Sequence, residues 1–427
     1  VVKSFEDGLP TGVFDLYSTK LNLSAEEKQA IAEEVCKDIK NAIESRSDYD
    51  RKLQEWNNQF EGIVGSSNFP YKDAVSLHVP ITATHIMTLH ASIRRTTMDI
   101  EPIYIVDPAT SELYDIADQI ENFVEFVARK RIKLPEKVSE SLWRTLIDGT
   151  SLLKVYWERK IRRIKDYIIF RTIDELQREF PTKESAGLSA EKYNNLKSMV
   201  SRLKDGETVK ILITKNVVDY DAPMVDVVQA KDFYLLPVDA ETIESAWGYA
   251  HAMYKTGYEL VEGQAKGKYF DVETIGKSNS LSDSDNITDS KNRIEGIQPV
   301  TYESDFRKQK RRIFEVGYCM DRDDDGIPEK YIFTVDYDSN TLIGANIFPF
   351  WHNECYFVPM YVIKRSGRFN GIGIPHLLSD INSEINILHN HRNNSRFITS
   401  IPAFKALKGA ERTLVPMLKK GFYPGIC

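Results

Sequence analysis

The sequence predicts an α+β fold in which a helical part, a strand-rich part and one further helix follow each other along the chain. Up to about residue 150, apolar side chains recur at helical spacing, whereas residues 151–370 contain short stretches that alternate apolar and polar side chains. A last helix is predicted from Pro375, because proline suits the first helical turn. Apolar residues make up 42% of the 427 residues and charged residues 28%, as in folded globular proteins.

The helical part opens with an arm, since the first twenty residues show no periodicity. A capping box of Ser24 and Glu27 predicts the start of the first helix, because the two residues satisfy each other's backbone N–H groups. The apolar pattern predicts further helices around Trp56, from Ile81, over 113–133 and from Pro135.

The strand-rich part begins after Gly149, where Leu153, Val155 and Trp157 alternate with polar residues. A charged helical insertion is predicted over about 172–204. Residues 276–310 are rich in Ser, Asp, Asn and Lys without a period, and we expect a mobile loop there. Further strands are predicted over 208–218, 225–236, 313–320, 331–336 and 342–347.

Charge and cysteine content exclude several classes of protein. The net charge of -7 argues against a basic surface that grips nucleic acid, which requires clustered Lys and Arg. The four cysteines form no CxxC pair, so a reducing compartment is favoured over a disulfide framework. No apolar run reaches 18 residues, and no transmembrane helix is predicted. We expect a longer polypeptide, because the sequence begins without Met and stops abruptly at Cys427.

The segment 369–390 is the most informative part of the sequence. Gly371 and Gly373 permit backbone angles that other residues avoid, which predicts a hinge before the last helix. Asp380, Glu384 and several asparagines are expected to keep the remaining surface of that helix polar. An apolar stripe at spacings of three and four predicts a packing side, formed by Leu378, Ile381, Ile385 and Leu388. By pattern alone, an ordinary surface helix remains the alternative.

An aspartate cluster is the one candidate metal site. Asp321, Asp323 and Asp325 precede a glycine, as in the first half of a calcium loop, and Glu329 stands at the ninth position. Ile332 occupies the twelfth position, where that loop requires a bidentate glutamate. The two interpretations are a polar hairpin turn and a structural Ca²⁺ or Mg²⁺ site.

No catalytic residue is predicted, since neither a Gly-x-Ser-x-Gly elbow nor a His-Glu-x-x-His motif is present. His78, His85 and His90 are spaced by seven and five residues, which does not place them on one helical face. The basic runs 159–163 and 307–312 are expected to be solvated, with nucleic-acid contact as the alternative.

Three segments in a shared order make the chain resemble the portal proteins of tailed bacteriophages, in the group related to podovirus portals. The first segment combines Trp56 with Phe69-Pro-Tyr-Lys-Asp-Ala and Val79-Pro80. The second is the Asp-x-Asp-x-Asp-Gly-x-Pro-Glu run at 321–329. The third is the G-x-G-x-P-x-L-L-x-D-x-N-x-E-x-N-x-L-x-N run from Gly371 to Asn390. Together they extend over residues 50 to 405.

The resemblance implies a portal-like, ring-forming subunit with three parts. Residues 1–370 would form a wing, helical to about 150 and strand-rich over 151–370; residues 371–396 would form the stem helix, and 397–427 the start of a clip. By analogy the ring has twelve copies. Asp380 and Glu384 would face the channel, while the apolar stripe of the stem helix would pack within or between subunits.

The resemblance also implies a structural function without a catalytic cofactor. The ring would sit at the capsid vertex of the virion, after assembly in the host cytoplasm, and double-stranded DNA would pass through it during packaging and ejection. Implied partners are the terminase large subunit, a tail adaptor or head-completion protein and the major capsid protein, with no membrane involved. The alternatives are a metal-dependent nucleic-acid-processing enzyme that uses Asp321, Asp323 and Asp325, and a phage structural protein without a channel.

Overall fold

The fold is described here from a computed structural model. It describes residues 21, 23–63, 75–108, 110, 114–170, 172–179, 190–202, 209–275, 295, 306–322, 326–350 and 354–400. The predicted N-terminal arm, nearly all of the predicted loop at 276–310 and the segment 401–427 lie outside these ranges. Helices and antiparallel sheets both build the chain, which confirms the α+β class.

Four long helices form the first part: α1 (Ala25–Glu61), α2 (Ile81–Thr97), α3 (Tyr114–Phe126) and α4 (Leu134–Asp148). The capping box is present, with the Ser24 side chain accepting from Glu27 N and the Glu27 side chain accepting from Ser24 N. Helix α1 is one continuous helix of 37 residues where two were predicted. A π-helical turn over Val127–Ile132 continues α3, and Pro135 lies in the first turn of α4 as predicted.

The first sheet has three antiparallel strands in the order β2-β1-β8. Strand β1 (Thr150–Phe170) pairs along nearly its whole length with β2 (Val209–Gln229), and only its first residues, Thr150–Lys154, also pair with β8 (Phe357–Tyr361). The predicted insertion lies at the far end of this hairpin, as the helices α5 (Ile173–Glu179) and α6 (Ala190–Ser201).

The second sheet is a five-stranded antiparallel meander with its strands in chain order. Its strands are β3 (Phe233–Leu236), β4 (Gly248–Thr256), β5 (Lys310–Met320), β6 (Glu329–Asp336) and β7 (Thr341–Ile347). Two short helices, α7 (Gly257–Ala265) and α8 (Val272–Ile275), follow β4. The last described element is α9 (Ile374–Ser400), which begins next to Pro375 as predicted and continues past residue 396.

The five-stranded sheet is buried on both faces. Ile31, Val35 and Ile39 of α1 pack on one face with Phe314 and Phe333. Alternate residues of the same sheet point the other way and pack against the three-stranded sheet, in a cluster that contains Tyr249, Ile332, Leu152 and Phe357. The chain is therefore layered as helix, sheet and sheet, with cores between the layers.

Buried polar contacts fix these layers to each other. Arg46 of α1 is buried and donates to the backbone carbonyls of Ala230, Lys231 and Phe233, where the chain enters β3. Between the sheets, the Lys154 ammonium lies 2.6 Å from the Glu315 carboxylate, which also accepts a hydrogen bond of 2.8 Å from a tyrosine hydroxyl. Removing one member of such a pair leaves a buried charge without its partner, so these contacts specify how the layers dock.

Candidate functional site

Helix α9 packs on the body through a face of asparagines. Asn382, Asn386, Asn390 and Asn394 follow each other at spacing four, which places them on one side of a helix. The first and last of them are 4% exposed. The prediction that the asparagines of this helix lie on its solvated surface is therefore wrong.

These asparagines hold the extended segment 75–79, which runs along α9. Backbone N–H groups donate to asparagine Oδ1 atoms from Val75 to Asn394 at 2.9 Å, from Leu77 to Asn390 at 2.8 Å and from Val79 to Asn386 at 2.8 Å. In return, Asn390 Nδ2 donates to Leu77 O at 3.0 Å, and Asn394 Nδ2 lies 3.4 Å from Val75 O. We call this set of contacts the asparagine ladder.

Matching repeats explain why a helix and a strand can pair in this way. Four helical residues rise about 6.0 Å and two extended residues about 6.6 Å, so each rung shifts by only about 0.6 Å. This mismatch in spacing is smallest at the central rung, where both hydrogen bonds between the Asn390 side chain and the backbone of Leu77 are short. At the outer rungs the hydrogen bond from the asparagine Nδ2 differs. At Asn394 it is long, and at Asn386 it is redirected, because Nδ2 lies 3.4 Å from His78 Nδ1.

The ladder ends where the extended segment ends. If the ladder continued by one rung, Asn382 would accept from the backbone N–H of Ile81. That N–H donates to Val79 O instead, where α2 begins. Asn382 Oδ1 is buried without a hydrogen-bond partner among the described residues. The fourth asparagine therefore continues the packing face without forming a rung.

The predicted apolar stripe is not the main packing face of α9 within the chain. Ile381 is 54% and Leu388 is 60% exposed, while Leu378 and Ile385 are half-buried. Their packing between subunits, the other half of the prediction, concerns an assembly of several chains and stays a prediction.

The predicted channel-facing residues, Asp380 and Glu384, are both exposed. Each lies two residues from Asn382, which is about 160° around a helix of 3.6 residues per turn. The carboxylates therefore point away from the body of the chain, on the side of α9 opposite the first asparagine. Their position facing a channel stays a prediction.

The two predicted hinge glycines lie in a tight crossing of two backbones. A Cβ on Gly373 would lie 2.3 Å from Ile147 O, and one on Gly371 would lie 2.6 Å from Gly149 O. Gly371 N also donates to Thr150 Oγ1 at 2.7 Å. Neither Gly371 nor Gly373 has a positive φ, so the stated reason for glycine was wrong: close approach, not an unusual backbone angle, requires it. Motion at this point stays a prediction.

The first turn of α9 brings together motif segments that are far apart in the sequence. Pro375 is buried, and the ring of His376 meets that of Trp56 edge to face at 5.1 Å. Ile374 packs against the cluster of α2 and α4 that contains Ile86 and Leu146. These two contacts, with the glycine crossing and the ladder, fix the direction in which α9 leaves the body.

Only two members of the aspartate cluster, Asp321 and Glu329, lie in the described ranges. Asp321 Oδ2 accepts from Gly326 N at 2.8 Å, as in a hairpin turn, and Glu329 accepts from Tyr331 Oη at 3.1 Å. Asp323 and Asp325 lie outside the described residues. In the parts of the chain that are described, no group of three or more His, Cys, Asp or Glu is placed to hold a metal. A structural cation at the loop stays a prediction.

The two basic runs have carboxylate or aromatic partners. On the hairpin, Arg159 faces Asp221 at 3.6 Å and Arg162 faces Asp219 at 3.0 Å. In the second run, Arg311 is fully buried against Asp336 at 2.8 Å. These pairs favour a structural function over nucleic-acid contact.

The histidines of the first part also have structural contacts. His90 stacks on Trp143 with ring centroids 4.5 Å apart, and its Nε2 lies 3.0 Å from Ser139 O. Burial lowers the pKa of His78, which lies beside the ladder. The two rings contact different elements and do not converge on one site.

A comparison with known families matches most of the stretch that contains the three motif segments. The family model described as Phage SU10 portal protein matches residues 33–383, from the first half of α1 into α9. No curated protein matches the sequence. None of the helices in the described ranges is long and apolar enough to span a bilayer.

Proposed function

The chain belongs to the phage SU10 portal protein family, and from this premise we propose that it is a structural subunit of a ring at the capsid vertex. Membership of the family confirms the resemblance to portal proteins that the sequence motifs indicated. By analogy with portals, the proposed ring has twelve copies and surrounds the channel through which double-stranded DNA is packaged and ejected.

The placement of α9 is the observation that best supports this function. The asparagine ladder and the glycine crossing fix one side of the helix on the body, and Asp380 and Glu384 are exposed on the other side. We propose that these two carboxylates face the channel in every subunit. The exposed apolar residues between the two sides, above all Ile381 and Leu388, would then contact the neighbouring stem helix.

An acidic channel wall suits a conduit for DNA. Each phosphate that a wall neutralises adds affinity by releasing a counterion, so cationic side chains would hold the DNA in place. Carboxylates repel the phosphates instead and keep the duplex mobile. A net charge of -7 agrees with this function.

The remaining parts of the proposal follow from the portal role. We propose that the ring contacts the terminase large subunit, a tail adaptor or head-completion protein and the major capsid protein, and that it assembles in the host cytoplasm before it enters the virion. The function requires no catalysis and no cofactor.

Native mass spectrometry with negative-stain imaging of the full-length protein tests the assembly. We expect a closed ring of about a dozen subunits with a central hole. A stable monomer with metal-dependent nuclease activity, lost in Asp323→Ala, would overturn the proposal in favour of the enzyme.

A charge-reversal variant tests the channel. In Asp380→Lys/Glu384→Lys we expect intact rings but slower, more salt-dependent DNA packaging. The matched control is Glu55→Lys/Glu273→Lys, which reverses two exposed carboxylates on α1 and α8. Equal packaging rates for the two double variants would contradict a channel-facing position of Asp380 and Glu384.

A further inference from the structure

An apolar groove of about 360 Å³ opens between α3 and the outer face of the three-stranded sheet. Tyr104, Phe123 and Val127 line one wall, and Val155 and Val358 line the other. The opposite face of this sheet packs on the five-stranded sheet, so the groove lies on the outside of the layered body.

Helix α3 extends the groove into a larger apolar surface. Ile116, Ile120, Phe123 and Val127 follow each other at spacings of four, three and four, which forms one stripe on the helix. Phe123 is 66% exposed, and Ile116 and Ile120 are also exposed. We call the stripe and the groove together the outer apolar surface.

The polar side of the same helix is already in use within the chain. Glu121 and Glu125 accept hydrogen bonds from the backbone of the segment 103–106, and Glu125 also pairs with Arg129. The helix is thus held by the side that carries these glutamates, where Ala117 and Ala128 are also buried. Its apolar stripe lies on a different side, which stays largely exposed beside the groove.

The size of the outer apolar surface indicates a protein partner. An aromatic side chain has about 150–250 Å² to bury and an aliphatic one has less; with about half of each large side chain exposed, the surface amounts to roughly 500 Å². The largest apolar patch on a typical monomer is about 300–600 Å² and is often a functional site. A standard interface buries about 800 Å² on each partner, so this surface is large enough for the apolar core of one.

We propose that the outer apolar surface is covered by a second copy of this chain, as one side of the subunit interface in the ring; the inference rests on the proposed function. A ring with head-to-tail contacts needs two different surfaces on every subunit, and each is permanently buried after assembly. Aromatic and aliphatic side chains with few charges are typical of such a permanent contact.

The charges at the edge of the surface favour the same partner. Lys130, Arg131 and Lys133 are exposed at the end of the π-helical turn that continues the stripe. In a second copy, 63 acidic residues outnumber 56 basic ones, so its surface can offer carboxylates to this basic edge. Opposite charges at an interface steer association and select the partner.

Substitution at the centre of the stripe tests the inference in the full-length protein. Phe123→Asp should raise the protein concentration needed for ring formation at least tenfold, as judged by native mass spectrometry. The control Val261→Asp changes a similarly apolar, exposed residue on α7 and should assemble like the wild type. Circular dichroism must show that both variants remain folded. Normal rings of folded Phe123→Asp would overturn the inference and leave the proposed function intact.

Cross-linking identifies the occupant directly and does not depend on a destabilising change. A photoreactive phenylalanine analogue replaces Phe123 in rings assembled from an equal mixture of light and heavy isotope-labelled chains. The inference predicts cross-linked peptides that combine one light and one heavy partner. Cross-links that are only light-light and heavy-heavy would show that a segment of the same chain covers the surface, and this would overturn it. Wild-type protein that forms no ring would contradict the proposed function itself.

Discussion

Removal of the central rung of the asparagine ladder tests how the stem helix is held. Asn390→Ala deletes both bonds to Leu77, the one of 2.8 Å that protects the Leu77 amide and the one of 3.0 Å to its carbonyl. The substitution keeps a good helix former at the position, so α9 itself should persist.

The expected effect follows from the number and the exposure of these bonds. Each hydrogen bond contributes about 0.5–1.5 kcal/mol net, and two are lost. Because the Leu77 side chain is half-exposed, water can replace part of the interaction, and we expect a loss of about 1–2 kcal/mol in the local free energy of opening. That difference corresponds to roughly 5–30-fold faster exchange of the amide hydrogens in the segment 75–79.

Hydrogen–deuterium exchange with mass spectrometry measures this effect on peptides that cover the extended segment. Asn386→Ala and Asn394→Ala should produce smaller increases, because their second bonds are long or redirected. Asn393→Ala is the control, since this asparagine lies next to the ladder and donates no hydrogen bond to the segment. Unchanged exchange in Asn390→Ala, or an equal increase in the control, would refute the ladder as the contact that holds the segment.

Three further predictions concern the junction and the buried groups. Gly373→Ala should destabilise the chain by about 3 kcal/mol or more in thermal unfolding, because the new Cβ meets a backbone carbonyl. In the control Gly367→Ala, the glycine has φ 68° but open space around it, and the loss of stability should be only about 1–2 kcal/mol. Equal losses in the two variants would contradict the backbone crossing at Gly373. Lys154→Met should cost about 3–5 kcal/mol in urea unfolding, and most of that loss should be regained in Lys154→Met/Glu315→Leu if the loss comes from an uncompensated buried carboxylate. Burial lowers the pKa of His251 to about 3, so the imidazole resists protonation in the folded chain. The free energy of unfolding should therefore fall as the pH drops from about 6.5 towards 3. His251→Asn should flatten this fall in unfolding titrations.

Glu315 adds to the acid sensitivity in a lower pH range. Burial alone would raise its pKa, but the charges of Lys154 and His251, with hydrogen bonds from Lys154 and a tyrosine hydroxyl, bring the pKa down to about 2. A carboxylate with a lowered folded pKa stabilises the chain above its unfolded pKa and loses that contribution as pH falls towards 2. Above about pH 4.5, the pH dependence of unfolding should therefore reflect His251 more than Glu315.

Local sequence signals predicted the elements that depend on neighbouring residues. The capping box at Ser24, the proline at the start of α4 and the period-2 run after Gly149 all act within a few residues, and each element begins where predicted. Strands were predicted over 208–218 and 225–236, whereas the structure has one strand β2 over Val209–Gln229 and the short strand β3 after it. In the structure Asp219 and Asp221 face arginines of β1 across the hairpin, at a point where the register of the two strands shifts.

The candidate site shows why the packing face of α9 could not be predicted from the sequence. The stripe of α9 suggested packing through leucine and isoleucine, because apolar residues usually form the buried face. The asparagines are buried instead, since the extended segment 75–79 offers backbone groups at a matching repeat. That partner lies about 300 residues away in sequence, and helical spacing alone cannot identify it. Four asparagines at spacing four were the available signal.

The proposed function depends above all on α9 lining a channel with its exposed carboxylates. A cryo-electron microscopy structure of the assembled full-length protein tests this placement most directly. We expect a closed ring in which the α9 helices surround the lumen, with Asp380 and Glu384 facing it and the asparagine ladder on the far side. Carboxylates of Asp380 and Glu384 buried between subunits, or an assembly without a central opening, would contradict it.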